Sequence, residues 1–261
     1  MPDSEPVRLL ILGGTAEAAR LAGAIEARFG AAIAVTTSLA GRTRSPGPLP
    51  GSVRTGGFGG ADGLANWVRA ERIGLVVDAT HPFATEISAH ARQACGAQNL
   101  PRLGLVRPPW RRRSGDDWRV VPDLDTAAAL LPDIAQRVFL SVGAARLDRF
   151  GDVCGVHLVV RMIDPPDGPL PLSDCTVVLG RGPFDVASER SLLRKHRVDA
   201  LVSRNSGGAA TYAKIEAARQ LSLPVVMIAP PVREPGPVVE TVEDALRWIS
   251  ERMKDGAESR V

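Results

Sequence analysis

Val7-Arg8-Leu9-Leu10-Ile11-Leu12-Gly13-Gly14-Thr15 decides how the rest of the chain is read. The short apolar run suits a strand buried on both faces, and the two glycines end it. From Thr15 to about Phe29, Ala, Leu, Ile and Glu recur at helical spacing, and the Thr15 hydroxyl can cap that helix. A buried strand, a glycine turn and a capped helix open a phosphate-binding unit of the dinucleotide kind. The glycines let backbone approach a pyrophosphate, and the free N–H groups of the helix face its charge. The G-x-G-x-x-G fingerprint is incomplete, because Leu12 and Glu17 stand where it has glycines.

Outward from that turn the alternation continues. Strands are predicted over 31–37, 53–58, 75–79 and 102–106, with helices over 61–72 and from about 80 to 98. Residues 107–117 break the pattern with prolines and charge, which places a domain boundary there. Further strands follow over 138–142, 156–163, 176–179, 200–203 and 225–228, with helices near 185–196, 208–221 and 241–254. Strands alternating with helices imply parallel sheets. The fold class is therefore α/β: two Rossmann-like parallel-sheet domains, residues 1–112 and 113–261, with a cleft between them.

Composition narrows the function. With 261 residues and 44% hydrophobic content, the chain can bury a core without staples, as a soluble globular protein does. Cys95, Cys154 and Cys175 are scattered and form no CxxC pair, so neither a disulfide framework nor a metal site is expected. No run reaches the roughly 18 apolar residues of a membrane span, and the start lacks a signal-peptide pattern. A cytoplasmic protein is expected. Of the 32 basic residues only Lys195, Lys214 and Lys254 are lysine. Such arginine richness suits a carboxylate- or phosphate-bearing ligand, and also fits a GC-rich genome. Aromatic residues make up only 4%, which leaves few stacking platforms for single-stranded nucleic acid and disfavours that partner.

The remaining motifs fall at strand ends. Thr37-Ser38-Leu39-Ala40-Gly41-Arg42-Thr43 closes the second strand with hydroxyls and a cation. An NAD-binding unit usually has an acidic residue near there, so this composition favours NADPH. Gly56-Gly57-Phe58-Gly59-Gly60 offers flexible backbone to a flat ligand. Asp78-Ala79-Thr80-His81-Pro82-Phe83-Ala84 places Thr80 and His81 beyond the carboxyl end of a buried strand, where α/β sheets bind ligands. Arg204-Asn205-Ser206-Gly207-Gly208 ends another such strand, before a helix with Tyr212 and Lys214, and Gly180-Arg181-Gly182-Pro183-Phe184 is a similar basic turn. Tyr212 and Lys214 are two apart, not the spacing of a Tyr-x-x-x-Lys pair. Two such turns suggest a substrate with several negative charges.

These motifs, in this order and together with Arg107-Pro108-Pro109-Trp110, resemble the precorrin-6A reductase family of cobalamin biosynthesis, over about residues 8 to 230. The resemblance implies NADPH-dependent reduction of one C=C bond of the precorrin-6A macrocycle to give precorrin-6B. It implies a coenzyme domain over 1–112 with Gly13, Gly14, Thr15, Ser38, Ala40, Arg42, Thr43, Gly57, Phe58, Thr80 and His81 at the nucleotide. A tetrapyrrole-binding domain over 113–261 follows, and Arg107, Arg181, Asn205, Ser206, Gly207, Gly208 and Lys214 are implied at the polycarboxylate substrate. This chain has Arg204 where a lysine would be expected, and Ala209-Ala210 before Thr211. The proton source stays open among His81, Lys214, Tyr212, water and a ring N–H of the substrate; His81 and Lys214 are the catalytic candidates. The competing readings are an NADPH-dependent reductase of another conjugated ring, and a non-catalytic protein that binds NADPH or a tetrapyrrole.

Overall fold

A computed structural model of the chain describes residues 5–41 and 48–258. Two of the expected coenzyme residues, Arg42 and Thr43, lie outside them. The chain divides into two compact units, one running to Arg107 and taking up the chain again from Pro231, the other spanning Pro108–Pro230.

The first unit is built on β1 (Val7–Leu12), β2 (Ile33–Leu39), β3 (Ser52–Thr55), β4 (Leu75–Asp78) and β5 (Arg102–Leu105). Helices α1 (Ala16–Phe29), α2 (Gly60–Ala70) and α3 (Thr85–Gly96) connect them. The second unit holds β6 (Trp118–Val121), β7 (Arg137–Ser141), β8 (His157–Met162), β9 (Cys175–Leu179), β10 (Ala200–Arg204) and β11 (Val225–Ile228). Its helices are α4 (Leu124–Ile134), α5 (Val186–Lys195) and α6 (Ala213–Gln220). The chain then returns to the first unit as β12 (Val238–Val239) and α7 (Val242–Glu258).

Every pairing in both sheets is parallel. The orders are β12-β5-β4-β1-β2-β3 and β6-β11-β10-β7-β8-β9. Each sheet therefore winds outward in both directions from its first long strand. The direction reverses between β1 and β4 in one sheet and between β7 and β10 in the other. Those reversal points, at the carboxyl ends of the strands, are where doubly wound sheets accept ligands.

Parallel sheets need both faces covered, and β1 shows how the sequence does it. Leu9 and Ile11 pack with Leu21 and Ile25 of α1 and Ala245 and Ile249 of α7. Leu10 and Leu12 face the opposite way, onto Leu64 and Val68 of α2 and Ala91 and Ala94 of α3. Full burial of one such leucine or isoleucine stabilises by about 1.5–3 kcal/mol. In the second unit, Phe139, Val159, Leu201, Val225 and Met227 pack against Leu193 of α5 and Ile215 and Ala218 of α6.

Three features differ from the sequence expectation. The division falls at Arg107/Pro108 rather than after residue 112, and the last segment belongs with the first unit, because β12 pairs with β5 and α7 packs against α1. Strands β6 and β12 and helix α4 were not anticipated: β6 buries only Trp118 and Val121, and β12 is two residues long. Helix α6 starts at Ala213 rather than near 208, because Gly207 and Gly208 adopt φ of +66° and +72°, which a helix cannot include.

Candidate functional site

In the first unit the expected coenzyme residues gather at the carboxyl end of the sheet. The Gly13 N–H donates to the Ser38 carbonyl at 2.9 Å, which ties the end of β1 to β2. A Cβ on Gly13 would stand 2.9 Å from Thr37 Cγ2, and Gly14 has φ of +101°, so both positions demand glycine. Thr15 caps α1: its Oγ1 accepts from the Ala18 N–H at 3.1 Å and donates to the Ala79 carbonyl at 2.7 Å. Its hydroxyl thus sets the helix and joins it to the end of β4. Two residues on, Glu17 pairs with Arg107 at 2.7 Å, both side chains largely buried. The structure therefore seats Arg107, an expected substrate residue, at the first turn of α1.

The ends of β2 and β3 form one cluster. Arg54 Nη1 donates to Ser38 Oγ at 2.8 Å and to the Gly56 carbonyl at 3.0 Å, and Nη2 donates to the Gly57 carbonyl at 3.0 Å. Its guanidinium lies 3.7 Å from the centroid of Phe58, which meets Trp67 edge-on at 5.4 Å. Burial pushes the Arg54 pKa below its ordinary value. The turn folds tightly: a Cβ on Gly63, in the first turn of α2, would come within 1.8 Å of the Phe58 carbonyl oxygen. Ala40 and Gly41 are exposed beyond the end of β2.

Beyond β4, the buried Asp78 carboxylate accepts from both the N–H and the hydroxyl of Thr80, at 3.2 and 2.7 Å. His81 Nδ1 accepts the Phe83 N–H at 3.2 Å. A neutral His81 ring therefore carries its proton on Nε2.

This geometry bears directly on a nicotinamide dinucleotide. Among the described residues, nothing lies within 4 Å of where a Cβ would project from Gly14, Gly56 or Gly57 at the ends of β1 and β3. The Thr37 hydroxyl beside the Gly13 turn is buried with no hydrogen-bond partner among the described residues. A glycine turn leading into a capped helix and the Arg54 cation, bonded from β3 to Ser38 of β2, suit a pyrophosphate and an adenosine. The residues fit the group.

In the second unit, Asn205 spends its amide on the backbone of Trp110: Oδ1 accepts the Trp110 N–H at 2.7 Å and Nδ2 donates to its carbonyl at 3.0 Å. The Trp110 indole N–H donates to the Gly208 carbonyl at 2.7 Å. Asn205 thus builds the strand end rather than reaching out from it. Lys214 is buried, with Nζ 3.1 Å from the Thr211 carbonyl and 5.3 Å from the centroid of the Trp110 ring, so it points back toward the amino end of α6. The Tyr212 hydroxyl takes the other direction. It accepts from Arg219 at 2.6 Å, and Arg219 is paired with Asp116 at 2.9 Å, just ahead of β6. That network ties the Tyr212 hydroxyl to a buried ion pair. Ser206 and Gly207 are buried at the end of β10, while Arg181 is exposed on the turn after β9. Sequence reasoning missed Arg54 and Glu17.

The comparisons decide what these strand ends belong to. The model of the family described as precorrin-6x reductase CbiJ/CobK matches residues 8–250. This chain belongs to that family. A precorrin-6A reductase from Rhodococcus erythropolis is 47% identical over 245 residues, covering 93% of this chain and 97% of the relative. A solved structure of a CobK precorrin-6A reductase superposes with a TM-score of 0.89 at 41% identity, covering 94% of this chain and 97% of that one. A cobalt-precorrin-6A reductase from Priestia megaterium is 26% identical over 196 residues, with 71% and 76% covered. Membership in the CbiJ/CobK family makes this chain an oxidoreductase that uses a nicotinamide coenzyme. No helix among the described residues is long and apolar enough to cross a membrane.

Proposed function

We propose that this chain reduces one C=C bond of precorrin-6A with NADPH, giving precorrin-6B on the way to cobalamin, in the cytoplasm. One observation carries the reading. The family match runs from residue 8 to 250 and so takes in both units, not a nucleotide-binding half alone. The higher identity to the relative named for precorrin-6A than to the one named for its cobalt form supports a metal-free macrocycle.

NADPH, when bound, supplies a hydride to one carbon of the double bond, and a proton completes its neighbour. Gly13, Gly14 and the first turn of α1, fixed by Thr15, would hold the pyrophosphate. Ser38 and Ala40, with Arg42 and Thr43, would hold the ribose 2′-phosphate, and Gly57 and Phe58 the adenosine. Thr80 and His81 stand at the reversal point beside β1. In the second unit Arg181, Ser206, Gly207, Gly208 and Lys214 would receive the substrate's carboxylates, on a strand end that Asn205 secures. Arg107, through Glu17, would set charge at the start of α1 instead of touching substrate. His81 through Nε2–H and Lys214 are the side chains that can give the proton. The protein's main contribution is orientation and exclusion of water.

The test is to mix the protein with precorrin-6A and NADPH without oxygen, following NADPH absorbance and product mass together. Stoichiometric NADPH loss with a gain of two hydrogens is the expected result. NADPH binding without oxidation, with either the metal-free or the cobalt-containing substrate, would refute the reading.

A further inference from the structure

Arg54 combines four features that no other arginine among the described residues of the first unit shows together. It sits level with Ser38, its registered neighbour across β2 and β3. Its guanidinium is held by Ser38, Gly56 and Gly57 and lies 3.7 Å from the Phe58 ring centroid. Phe58 in turn is braced by Trp67, so the cation has a fixed base. And its donors are only partly used: a guanidinium has five N–H groups, and the described residues take three of Arg54's.

The chemistry of those unused groups is specific. Ser38 Oγ accepts from Arg54, so its own O–H is left to donate. A serine O–H and a guanidinium with spare N–H groups, side by side at the carboxyl end of β2, form a donor set for a tetrahedral oxyanion. The same end of the sheet is where a doubly wound fold holds the adenosine ribose. Val53 and Thr55, on either side in the strand, are exposed, while Arg54 turns inward. A lysine could not replace it, because an ammonium lacks the planar fork and cannot lie on the Phe58 ring while holding two carbonyls.

We propose that Arg54, with Ser38, is the preorganised reader of the coenzyme's 2′-phosphate, and so sets the preference for NADPH over NADH. The inference rests on the reading of the first unit as the coenzyme unit, and deepens it by naming the residue that distinguishes the two coenzymes. Its contacts within the protein hold the guanidinium in place before ligand arrives, so little rotamer freedom is lost on binding.

The experiment is calorimetric titration of the whole protein with 2′,5′-ADP, 5′-AMP, NADP+ and NAD+, for the wild type and for Arg54→Ala and Arg54→Gln. The wild type should bind 2′,5′-ADP more tightly than 5′-AMP, and NADP+ more tightly than NAD+. In both variants the phosphorylated ligand should lose at least tenfold in affinity, or about 1.4 kcal/mol, while 5′-AMP and NAD+ change by less than about threefold. Arg54→Gln keeps an amide for Ser38 and the Gly56 carbonyl, so it decides the matter where the alanine variant does not fold. Equal losses for phosphorylated and unphosphorylated ligands would make Arg54 a structural brace and overturn the proposal. A wild type with no preference for the 2′-phosphate would instead overturn the NADPH reading beneath it.

Discussion

Arg161 and Glu189 form a charge pair inside the second unit, and removing one partner should be far more costly than removing both. Arg161 on β8 donates to Glu189 on α5 at 2.5 and 3.1 Å, with 11% and 1% of the two side chains exposed. The guanidinium also lies 3.9 Å from the Phe184 centroid and 4.8 Å from that of Phe139. Glu189→Gln keeps the shape and leaves a buried cation uncompensated, a change that typically costs about 3–5 kcal/mol. The ring contacts are present before and after the change and cancel, so the loss stays at about 3–5 kcal/mol. For a unit of this size the melting point should fall by on the order of 10 °C. The Arg161→Met/Glu189→Leu double variant, with no buried charge, should recover most of the loss. Urea denaturation followed by near-UV circular dichroism measures all three chains. Singles costing under about 1 kcal/mol, or a double costing the sum of its singles, would refute the reasoning. The pair also supports the turn that carries Arg181: a Cβ on Gly180 would lie 3.2 Å from the Phe184 ring, so that ring folds back over the strand end onto Arg161. The double variant should therefore raise the KM for the tetrapyrrole while leaving NADPH affinity unchanged.

Asn205→Ala removes both hydrogen bonds that secure the Trp110 backbone, at about 1 kcal/mol each; a loss near 2 kcal/mol in chemical denaturation, with NADPH affinity intact, is expected. Burial pushes the Cys95 thiol up to about 11, so a thiol reagent at neutral pH should label exposed Cys154 first, and Cys95 only on unfolding. Asp123 and Asp185 cap α4 and α5, and their hydrogen bonds from Thr126 and Ser188 hold both carboxyls below the ordinary 3.8. The unfolded chain then binds more protons near pH 4, so this stability is complete above about that pH. It is lost as pH falls through the folded values, and Asp185→Asn should show a shallower acid slope in denaturation at graded pH. His81→Ala should keep measurable turnover; complete loss with NADPH binding intact would make the imidazole indispensable.

The parts of the fold legible in the sequence are those whose signal is local. Leu9 to Leu12 read as a doubly buried strand because every residue of the run is apolar, and Gly13 and Gly14 end it for steric reasons that the structure repeats. What could not be read depends on distant pairing. Val238 and Val239 become a strand only because β5 is there to receive them, and no two-residue pattern announces that. β6 was hidden for a related reason: in Trp118-Arg119-Val120-Val121 one valine is 64% exposed, so the apolar residues do not mark a buried face. The site divides in the same way. Glycine turns at strand ends were visible, but Asn205 looks like a ligand residue until its partner, 95 positions earlier, is placed beside it. Arg54 was invisible because alternation misleads at an edge strand: Val53 is 45% exposed, and the charged residue after it faces in. A half-buried cation next to an exposed valine was the available signal.

Arginine richness admits a bland reading and a sharp one, and the structure divides the residues between two physical tasks. Arg161 and Arg219 are committed to carboxylates within the second unit, and Arg107 to Glu17 in the first. A guanidinium suits such places because its planar fork satisfies a carboxylate with two parallel bonds and its faces lie on aromatic rings. These arginines hold turns in place, and the charge they carry is already answered. Net charge is therefore a poor guide to ligand charge here, since a cation paired inside a unit adds little to the field outside it. The cations that bear on an anionic ligand are those with charge to spare at a strand end. Arg54 in the first unit therefore outranks Arg107: its bonds go to a hydroxyl and two carbonyls, which leave its charge unanswered among the described residues, whereas Arg107 is neutralised by Glu17. The ordering is one that composition and motif order cannot supply, because it depends on which groups each guanidinium meets in the folded unit.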